Sequence, residues 1–373
     1  MFRNAVYIGK VFGIPVRVHV SWLIVFVLIT LSLAGFFEAE HKDWPMQLTW
    51  FMGAVASLLF FASVLAHELA HSLLARSRGQ RVRDIVLFIF GGVSEITDES
   101  KTPSTEFLVA VVGPLTSVVI GIFFLLVALL TGQAAPPVAT VSYYLGVINV
   151  ILAGFNLIPG FPLDGGRVLR GILWKITGDM DRSTQWAARV GQVVAYLFIF
   201  RGIVYFFQHN YFQGLWIGFI GFFLENAALS SYRQVQLRHS LAGHSVEEVM
   251  IREYPGVSPD ASVSSVVTDY ILPLGLRCLP VLAAGEQMVG LLTIHDINRV
   301  GRDAWPTSRT SGVMIPMDKV KTTRSDENLW DALVKMTTDE VNQLPVVRDG
   351  KFEGLLTRGS ILTFLRMRAE LGL

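Results

Sequence analysis

An apolar run over residues 48–74 is long enough to cross a bilayer, and it carries the sequence Ala66-His67-Glu68-Leu69-Ala70-His71. Residues four apart on a helix share one face, so both imidazoles can point at one ion. This is the His-Glu-x-x-His zinc signature, in which the glutamate acts as general acid/base on an activated water. The pattern also occurs by chance on soluble helices, but three ionisable groups in hydrocarbon are costly and mark a functional site. The run predicts a zinc site with ligands His67 and His71 and catalytic Glu68.

Two histidines are an incomplete site, because catalytic zinc generally takes three protein ligands and a water. A thiolate set is excluded, since Cys278 is the only cysteine and lies far downstream. The best candidate is Asp164, where prolines and glycines of residues 155–167 break a membrane helix. Broken backbone at membrane depth is tolerated only against protein or a water-filled cavity. The alternative is an aspartate that caps a helix at an ordinary turn.

These two motifs together resemble the site-2 protease family of intramembrane zinc metalloproteases. The second motif reads Asn156-x-x-Pro159-x-x-Pro162-Leu163-Asp164-Gly165, and the likeness covers about residues 1–230. The resemblance implies one zinc ion per chain on His67, His71 and Asp164, with Glu68 as the catalytic acid/base. It also implies that the substrate is a transmembrane protein, cut near the cytoplasmic face. Two residues separate the prolines here, where many members of the family have one.

Composition bounds the class of protein. Apolar residues make up 52% of the chain and charged residues 16%, with a mean hydropathy of +0.49. Soluble domains have roughly 45–50% and 25%, so we expect a multi-pass membrane protein with a soluble part. The net charge of +1 argues against a nucleic-acid partner. A single cysteine excludes a disulfide framework and suits a reducing compartment.

Six spans are predicted, at residues 20–37, 48–74, 107–130, 138–158, 185–207 and 211–230. A cleaved signal peptide is the alternative for the first, since Leu33-Ala34-Gly35 is faintly like a cleavage site. The positive-inside rule places four arginines after the second span in the cytoplasm, together with both chain termini. Basic residues after Asp164 place that end of the fourth span on the same side. Arg76 follows His71 by roughly 8 Å of helix, so the zinc should lie just inside the cytoplasmic face of the cell membrane.

Residues 82–96 are too short to span as a helix and are rich in β-branched and aromatic residues. They predict a strand or hairpin around Gly91-Gly92 at the membrane edge. An edge strand could bind the substrate in an extended form by adding it as a further strand. The alternative is a structural strand that packs under the site.

Polar and helix-breaking residues also occur inside the spans. Gly113-Pro114 predicts a kink in the third span. Asn149 in the fourth span shares a face with Asn156, seven residues on. Such an asparagine either hydrogen bonds a neighbouring helix or donates to a developing oxyanion, and Asn149 is our catalytic candidate for the second role.

After a linker at residues 231–244, an internal repeat with an offset of about 64 residues begins. Its halves, residues 245–300 and 307–370, resemble a tandem pair of cystathionine β-synthase (CBS) domains. Such pairs often bind adenine nucleotides, with a Thr-x-x-Asp whose carboxylate takes the ribose hydroxyls. The resemblance assigns Thr293 and Asp296 to that role, whereas the second copy, Thr357-x-x-Ser360, lacks the acid. The alternative is a homodimerisation platform without a ligand.

The predicted fold is a polytopic α-helical membrane domain of about six transmembrane helices with a short membrane-edge β segment, followed by a soluble α/β tandem CBS module. The predicted function is intramembrane zinc proteolysis regulated by the CBS pair. Two alternatives remain: a CBS-regulated channel or transporter, and a catalytically silent protein that binds a membrane client. Transport does not call for a glutamate between two zinc-spaced histidines.

Overall fold

A computed structural model describes residues 5–89, 91–96 and 98–371 of the chain. The chain divides into two compact units between Val235 and Gln236. The division falls within a single helix that continues to Ala242, so the stretch predicted as a linker is helical over most of its length. Met1 and Leu373, whose cytoplasmic location is predicted, lie outside the described residues.

Long apolar helices dominate the first unit, because a uniformly apolar segment satisfies its backbone hydrogen bonds internally. Within the described part of the chain, six of them are long and apolar enough to cross a membrane, which confirms the predicted class of fold. The short fifth helix, α5, is the exception and follows the predicted break. The helices are α1 Val20–Glu40, α2 Met46–Ser77, α3 Pro103–Thr131, α4 Pro136–Asn156, α5 Asp164–Thr177, α6 Met180–Phe207 and α7 Tyr211–Ala242.

Local signals set where several of these helices begin and end. Prolines occupy the first turns of α3 and α4, where no intrahelical N–H partner is needed. Thr102 caps α3 by accepting a hydrogen bond from the Thr105 N–H. Gly178, with φ of 73°, ends α5 in the left-handed region.

A four-stranded sheet of order β1-β2-β3-β4 accompanies the helices. Its strands are β1 Ala5–Val11, β2 Ile14–His19, β3 Val82–Phe88 and β4 Gly91–Ile96. The β3–β4 pair is the predicted hairpin, but its turn precedes Gly91-Gly92, because those two residues already pair with Phe88 and Leu87. Phe90 lies outside the described residues. The β1–β2 hairpin was not predicted from the sequence. Within the described residues, β4 is an edge strand that pairs with β3 on one side only.

The second unit has the repeated α/β architecture that the sequence predicts. The strands are β5 Cys278–Leu282, β6 Met288–Thr293, β7 Ile315–Pro316, β8 Gln343–Arg348 and β9 Lys351–Thr357. The helices of this unit are α8 Val263–Val266, α9 Leu272–Leu274, α10 Ile294–Ile297, α11 Thr310–Val313, α12 Leu329–Thr338 and α13 Arg358–Leu371.

The two halves of this unit exchange a short extended segment. Ile251, near the start of the first half, pairs with Leu355 in β9 of the second. At the equivalent repeat position, Ile315 in β7 pairs with Leu291 in β6 of the first half. Because each half completes the other's sheet, the pair forms one folding unit.

Candidate metal centre

Three side chains from two distant helices meet at one point inside the first unit. The Nε2 atoms of His67 and His71 on α2 lie 3.1 Å apart, and each is 3.1 Å from Oδ2 of Asp164 at the start of α5. Both histidines are buried, with 4% and 3% of their surface exposed. Tetrahedral zinc at about 2.0–2.1 Å from its ligands separates them by about 3.3 Å. The spacing and chemistry of this donor set therefore fit one zinc ion with a coordination position left open.

Contacts on the far side of each imidazole fix its orientation. His71 Nδ1 lies 2.6 Å from the Val109 carbonyl oxygen, which can only accept, so Nδ1 carries the proton and Nε2 keeps a lone pair. His67 Nδ1 lies 2.9 Å from the Ser117 hydroxyl oxygen. Both partners are on α3. Outer contacts of this kind are what hold histidine ligands to a metal.

Gly113 lets α3 come this close. A Cβ atom at this position would lie 2.1 Å from His71 Nε2 and 2.7 Å from His67 Nε2. Any side chain here would occupy the space where the two imidazoles converge. The sequence predicts only that Gly113-Pro114 kinks the third span. In the structure Pro114 lies inside α3, which is one continuous helix. The close contact with the two imidazoles is a second structural requirement for glycine at position 113.

Asp164 is not the capping residue of its helix. The N-cap of α5 is Leu163, and no side chain caps it, whereas the Asp164 carboxylate contacts the two histidines. The next residue, Gly165, packs so tightly that a Cβ would lie 2.3 Å from the Ile158 carbonyl oxygen. The alternative of an ordinary capping aspartate is therefore not what the geometry supports.

A buried ion cluster ties α5 to α3. Glu106 on α3 is 1% exposed and accepts from Arg167 Nε at 3.0 Å, and it also pairs with Arg170. The Arg170 guanidinium also lies 5.2 Å from the centre of the Phe161 ring. Removing one partner of a buried ion pair strands the other charge, which makes such clusters strong constraints on geometry. The cluster holds the helix that begins with Asp164 against the helix that orients both histidines.

Glu68 points toward β4 rather than toward the other ionisable groups of the motif. Its Oε2 accepts a hydrogen bond of 2.7 Å from the Ser94 hydroxyl. Glu68 lies between the two histidines in the sequence of α2, and its carboxylate contacts β4 through Ser94. The edge strand thus lies directly against the candidate acid/base.

Asn149 is fully buried in α4 and makes helix-to-helix contacts. Its Nδ2 donates to the Leu145 carbonyl at 2.8 Å and to the Ser63 hydroxyl at 3.3 Å, while Oδ1 has no hydrogen-bond partner. Ser63 lies on α2, one turn before His67. These contacts describe the first of the two roles that the sequence left open, and the oxyanion role stays a prediction.

Thr293 and Asp296 lie together in the second unit, where they cap α10. Each side chain accepts from the other's backbone N–H, and the Thr293 hydroxyl donates to the Asp296 carboxylate. The second repeat keeps the same reciprocal cap with Thr357 and Ser360. Helix capping alone thus accounts for the Thr-x-x-Asp/Ser pattern, and the ribose role of Asp296 stays a prediction.

Several contributors to the site are residues to which the sequence analysis assigns no role at the metal. They are isolated small or polar residues far along the chain from the motifs, and only their packing reveals a role: Ser94, Glu106, Gly113 and Ser117. Glu106 directly precedes the predicted third span at residues 107–130, and a carboxylate at the edge of hydrocarbon needs a partner, which is a sequence signal for it.

Comparisons with known proteins agree with both halves of the chain. Residues 55–136 and 132–199 match Peptidase family M50, and residues 246–303 and 312–367 match the CBS domain. A protein of Synechocystis sp. named "Putative zinc metalloprotease sll0528" is 34% identical over 369 residues, covering 98% of this chain and 97% of the relative. "Zinc metalloprotease MJ0392" of Methanocaldococcus jannaschii is 29% identical over 371 residues, covering 97% of each chain. The solved structure of a site-2 protease from the same organism covers 61% of this chain and 95% of its own, at 28% identity and a TM-score of 0.43.

Proposed function

The chain belongs to Peptidase family M50, the site-2 proteases, and from that premise we propose that this multi-pass membrane metalloprotease cleaves transmembrane segments of other proteins near the cytoplasmic face. The observation that carries the proposal is the convergence of His67, His71 and Asp164 beside Glu68. Ligands from α2 and α5 that are 97 residues apart in sequence share one 3.1 Å triangle. The alternative function as a channel does not require a glutamate between two zinc-spaced histidines.

The proposed chemistry assigns separate tasks to the residues of the site. His67, His71 and Asp164 would hold zinc, which when bound would polarise the scissile carbonyl and make a water molecule more acidic. Glu68 takes the proton of the attacking water and passes it to the leaving amine. Ser117 and the Val109 carbonyl keep the imidazoles turned inward throughout.

Substrate recognition is proposed to use the free edge of β4. Proteolysis needs an extended peptide, because a helical segment buries its carbonyl groups in its own hydrogen bonds. An edge strand offers unpaired backbone groups to such a peptide, and β4 lies against Glu68. A scissile bond docked there would be close to the acid/base.

The proposed topology puts the site and both termini on the cytoplasmic side. The support is the charge pattern. Arg76 lies in the last turn of α2, Arg78, Arg81 and Arg83 follow that helix closely, and Arg167 and Arg170 follow Asp164. Arg167 and Arg170 are also paired with buried Glu106, so their position has a structural cause besides the orientation of the chain in the membrane.

We propose the domain limits 1–230 for the protease, 231–244 for the linker, and 245–300 and 307–370 for the CBS domains. The CBS pair is proposed to regulate the protease by binding an adenine nucleotide through Thr293 and Asp296, or to join two chains in a homodimer. The nucleotide-binding role is supported by the Asp296 carboxylate, which is held in a defined position in the first turn of α10, directly after β6.

The test is a paired assay on detergent-purified protein. Zinc per chain is measured for wild type, Asp164→Ala and the control Asp43→Ala, which changes an exposed loop residue. Cleavage of a transmembrane reporter is measured for wild type, Glu68→Gln and the control Glu38→Gln on the exposed face of α1. We expect one zinc per chain that is lost only in Asp164→Ala. Cleavage should fall by at least about a hundredfold only in Glu68→Gln.

Two outcomes would contradict the proposal. A wild-type protein without zinc would remove the metal chemistry and return the channel to first place. Zinc-loaded protein that fails the cleavage test would also contradict it: the absence of cleavage would favour a silent client-binding protein, and cleavage indifferent to Glu68→Gln would exclude Glu68 as the acid/base.

A further inference from the structure

The Glu68 side chain lies against β4, where Ser94 and Gly92 contact it. Ser94 Oγ lies 2.7 Å from Glu68 Oε2 and 3.0 Å from the Glu68 backbone carbonyl oxygen. Ser94 pairs with Ile85 in the β3–β4 ladder, so its position is set by the sheet and not by α2. The hydroxyl therefore joins two elements that are otherwise independent in sequence.

A second hydroxyl determines which way the Ser94 proton points. The Ser72 hydroxyl, fully buried one turn after Glu68 on α2, donates to Ser94 Oγ at 3.1 Å. A hydroxyl oxygen that already accepts from one side donates its own proton to the other. That single proton has two acceptors on Glu68, and the shorter contact, at 2.7 Å, is to the carboxylate Oε2 and not to the backbone carbonyl. Chains of hydrogen bonds of this kind strengthen their members.

Gly92, two residues before Ser94, makes the approach of the glutamate feasible. A Cβ at Gly92 would lie 2.5 Å from Glu68 Cγ and 3.3 Å from Cδ. The aliphatic part of the Glu68 side chain thus passes directly over the glycine backbone. Its carboxylate is held by steric fit at Gly92 and by hydrogen bonding at Ser94.

We propose that Ser94 is a positioning residue that, with Ser72 behind it, aims the Glu68 carboxylate at the attacking water. The inference rests on the proposed function and deepens it. A general base contributes only when its oxygen lies within hydrogen-bond reach of the proton it removes. A glutamate has three rotatable side-chain bonds, so without Ser94 it samples orientations that miss the water. The substrate contacts and the metal ligands are untouched by this role.

The effect should appear in turnover and not in binding. Ser94→Ala is expected to lower kcat by roughly tenfold, the scale of one charge-assisted hydrogen bond, with KM changed less than about twofold. Ser72→Ala, which removes only the second donor, should lower kcat by about threefold. Ser94→Thr keeps the hydroxyl and should restore most of the activity. Gly92→Ala should resemble Ser94→Ala, because it displaces the same side chain.

The experiment uses full-length protein in detergent with a transmembrane reporter. Wild type, Glu68→Gln, Ser94→Ala, Ser94→Thr and a matched control, Ser57→Ala, are compared for kcat, KM, zinc per chain and affinity for the uncleaved reporter. Ser57 is a fully buried serine on the same helix that donates to the Gly53 carbonyl, far from the site. Zinc content and reporter affinity should equal the wild-type values in all of the serine variants.

The possible failures are distinguishable. If wild type cuts and Glu68→Gln does not, but Ser94→Ala turns over within twofold of wild type, the positioning role is overturned. It is also overturned if Ser94→Ala loses zinc, or if Ser94→Thr is as slow as Ser94→Ala, because Ser94 would then only support the fold. If Glu68→Gln cuts as fast as wild type, the proposed function itself fails and the role of Ser94 fails with it.

Discussion

The metal centre of the first unit and the Thr293–Asp296 pair of the second are both predicted from short motifs, yet their polar atoms are used differently. In the metal centre, the two Nε2 atoms and Asp164 Oδ2 face one another across a space that an ion fits. In the second unit, the Asp296 carboxylate is already engaged by the backbone and side chain of Thr293. Helix capping within one turn is enough to explain the Thr293–Asp296 pair. No such local interaction explains why the two histidines meet Asp164, because they lie on helices that are far apart in the sequence.

The supporting contacts differ in the same way. Each metal-centre residue is oriented by another element: His67 and His71 by α3, Glu68 by β4, and the helix of Asp164 by Glu106. The Thr293–Asp296 pair is oriented by its own helix end. Substitutions on other helices and strands should therefore disturb the geometry of the candidate metal centre. The geometry of the Thr293–Asp296 pair should change only when one of its own residues is replaced.

The largest effect is expected for Gly113→Ala in α3. The added methyl group would overlap the space between His71 and His67, so zinc binding and cleavage should both fall by more than about a hundredfold. Gly154→Ala in α4 is the matched control, since a Cβ there meets no atom within 4 Å. Metal content and reporter cleavage measure both. A zinc-loaded, active Gly113→Ala protein would mean that α3 does not approach the histidines as described.

An intermediate effect is expected for Asp296→Ser, a change that the second repeat suggests. Ser360 already caps the equivalent helix, so the serine should keep the cap and alter the unfolding free energy by less than about 0.5 kcal/mol. If Asp296 binds ribose, the affinity for AMP or ATP should fall about tenfold or more, because a charged acceptor is lost. Titration calorimetry and thermal unfolding separate the two roles.

Asp296→Ala is the companion variant for that test. It removes the hydrogen bond that Asp296 accepts from the Thr293 N–H, which is one half of the reciprocal cap, as well as the acid, and should cost about 1 kcal/mol of stability. Nucleotide affinity that is equal in wild type and Asp296→Ser, or absent in wild type, would leave capping as the function of the pair and favour the dimerisation platform.

The smallest effect concerns Cys278 in β5 of the second unit. Burial raises the pKa of its thiol to about 11, although a hydrogen-bond contact with Tyr254 opposes the shift. The pKa of an exposed thiol is about 8.5, so Cys278 stabilises the fold below that pH and the contribution is lost as pH rises toward 11. We expect folded protein to resist maleimide at pH 8 and to react after unfolding, as mass spectrometry would show. Rapid labelling of the folded protein would contradict the burial.

Sequence alone determined the features that depend on local pattern. Apolar length and basic flanks are enough to predict six spans, and the spacing of His67 and His71 places them on one helix face. The repeat in the second unit was equally visible, because each half must bury the same apolar strands. The β1–β2 hairpin escaped prediction because its partner, β3, is more than 60 residues away and sheet pairing is non-local.

Only the tertiary structure decided what surrounds the motifs. That Gly113 lies against the imidazoles, that Ser94 meets Glu68 and that Glu106 holds Arg167 all depend on distances between elements that no periodicity encodes. The capping role of Asp296 was likewise hidden, since a Thr-x-x-Asp pattern does not say whether its carboxylate turns to its own helix or to a ligand. The sequence determines which side chains are present and how they are spaced. The hydrogen-bond partner of each polar side chain is determined by the elements that pack against it in the folded protein.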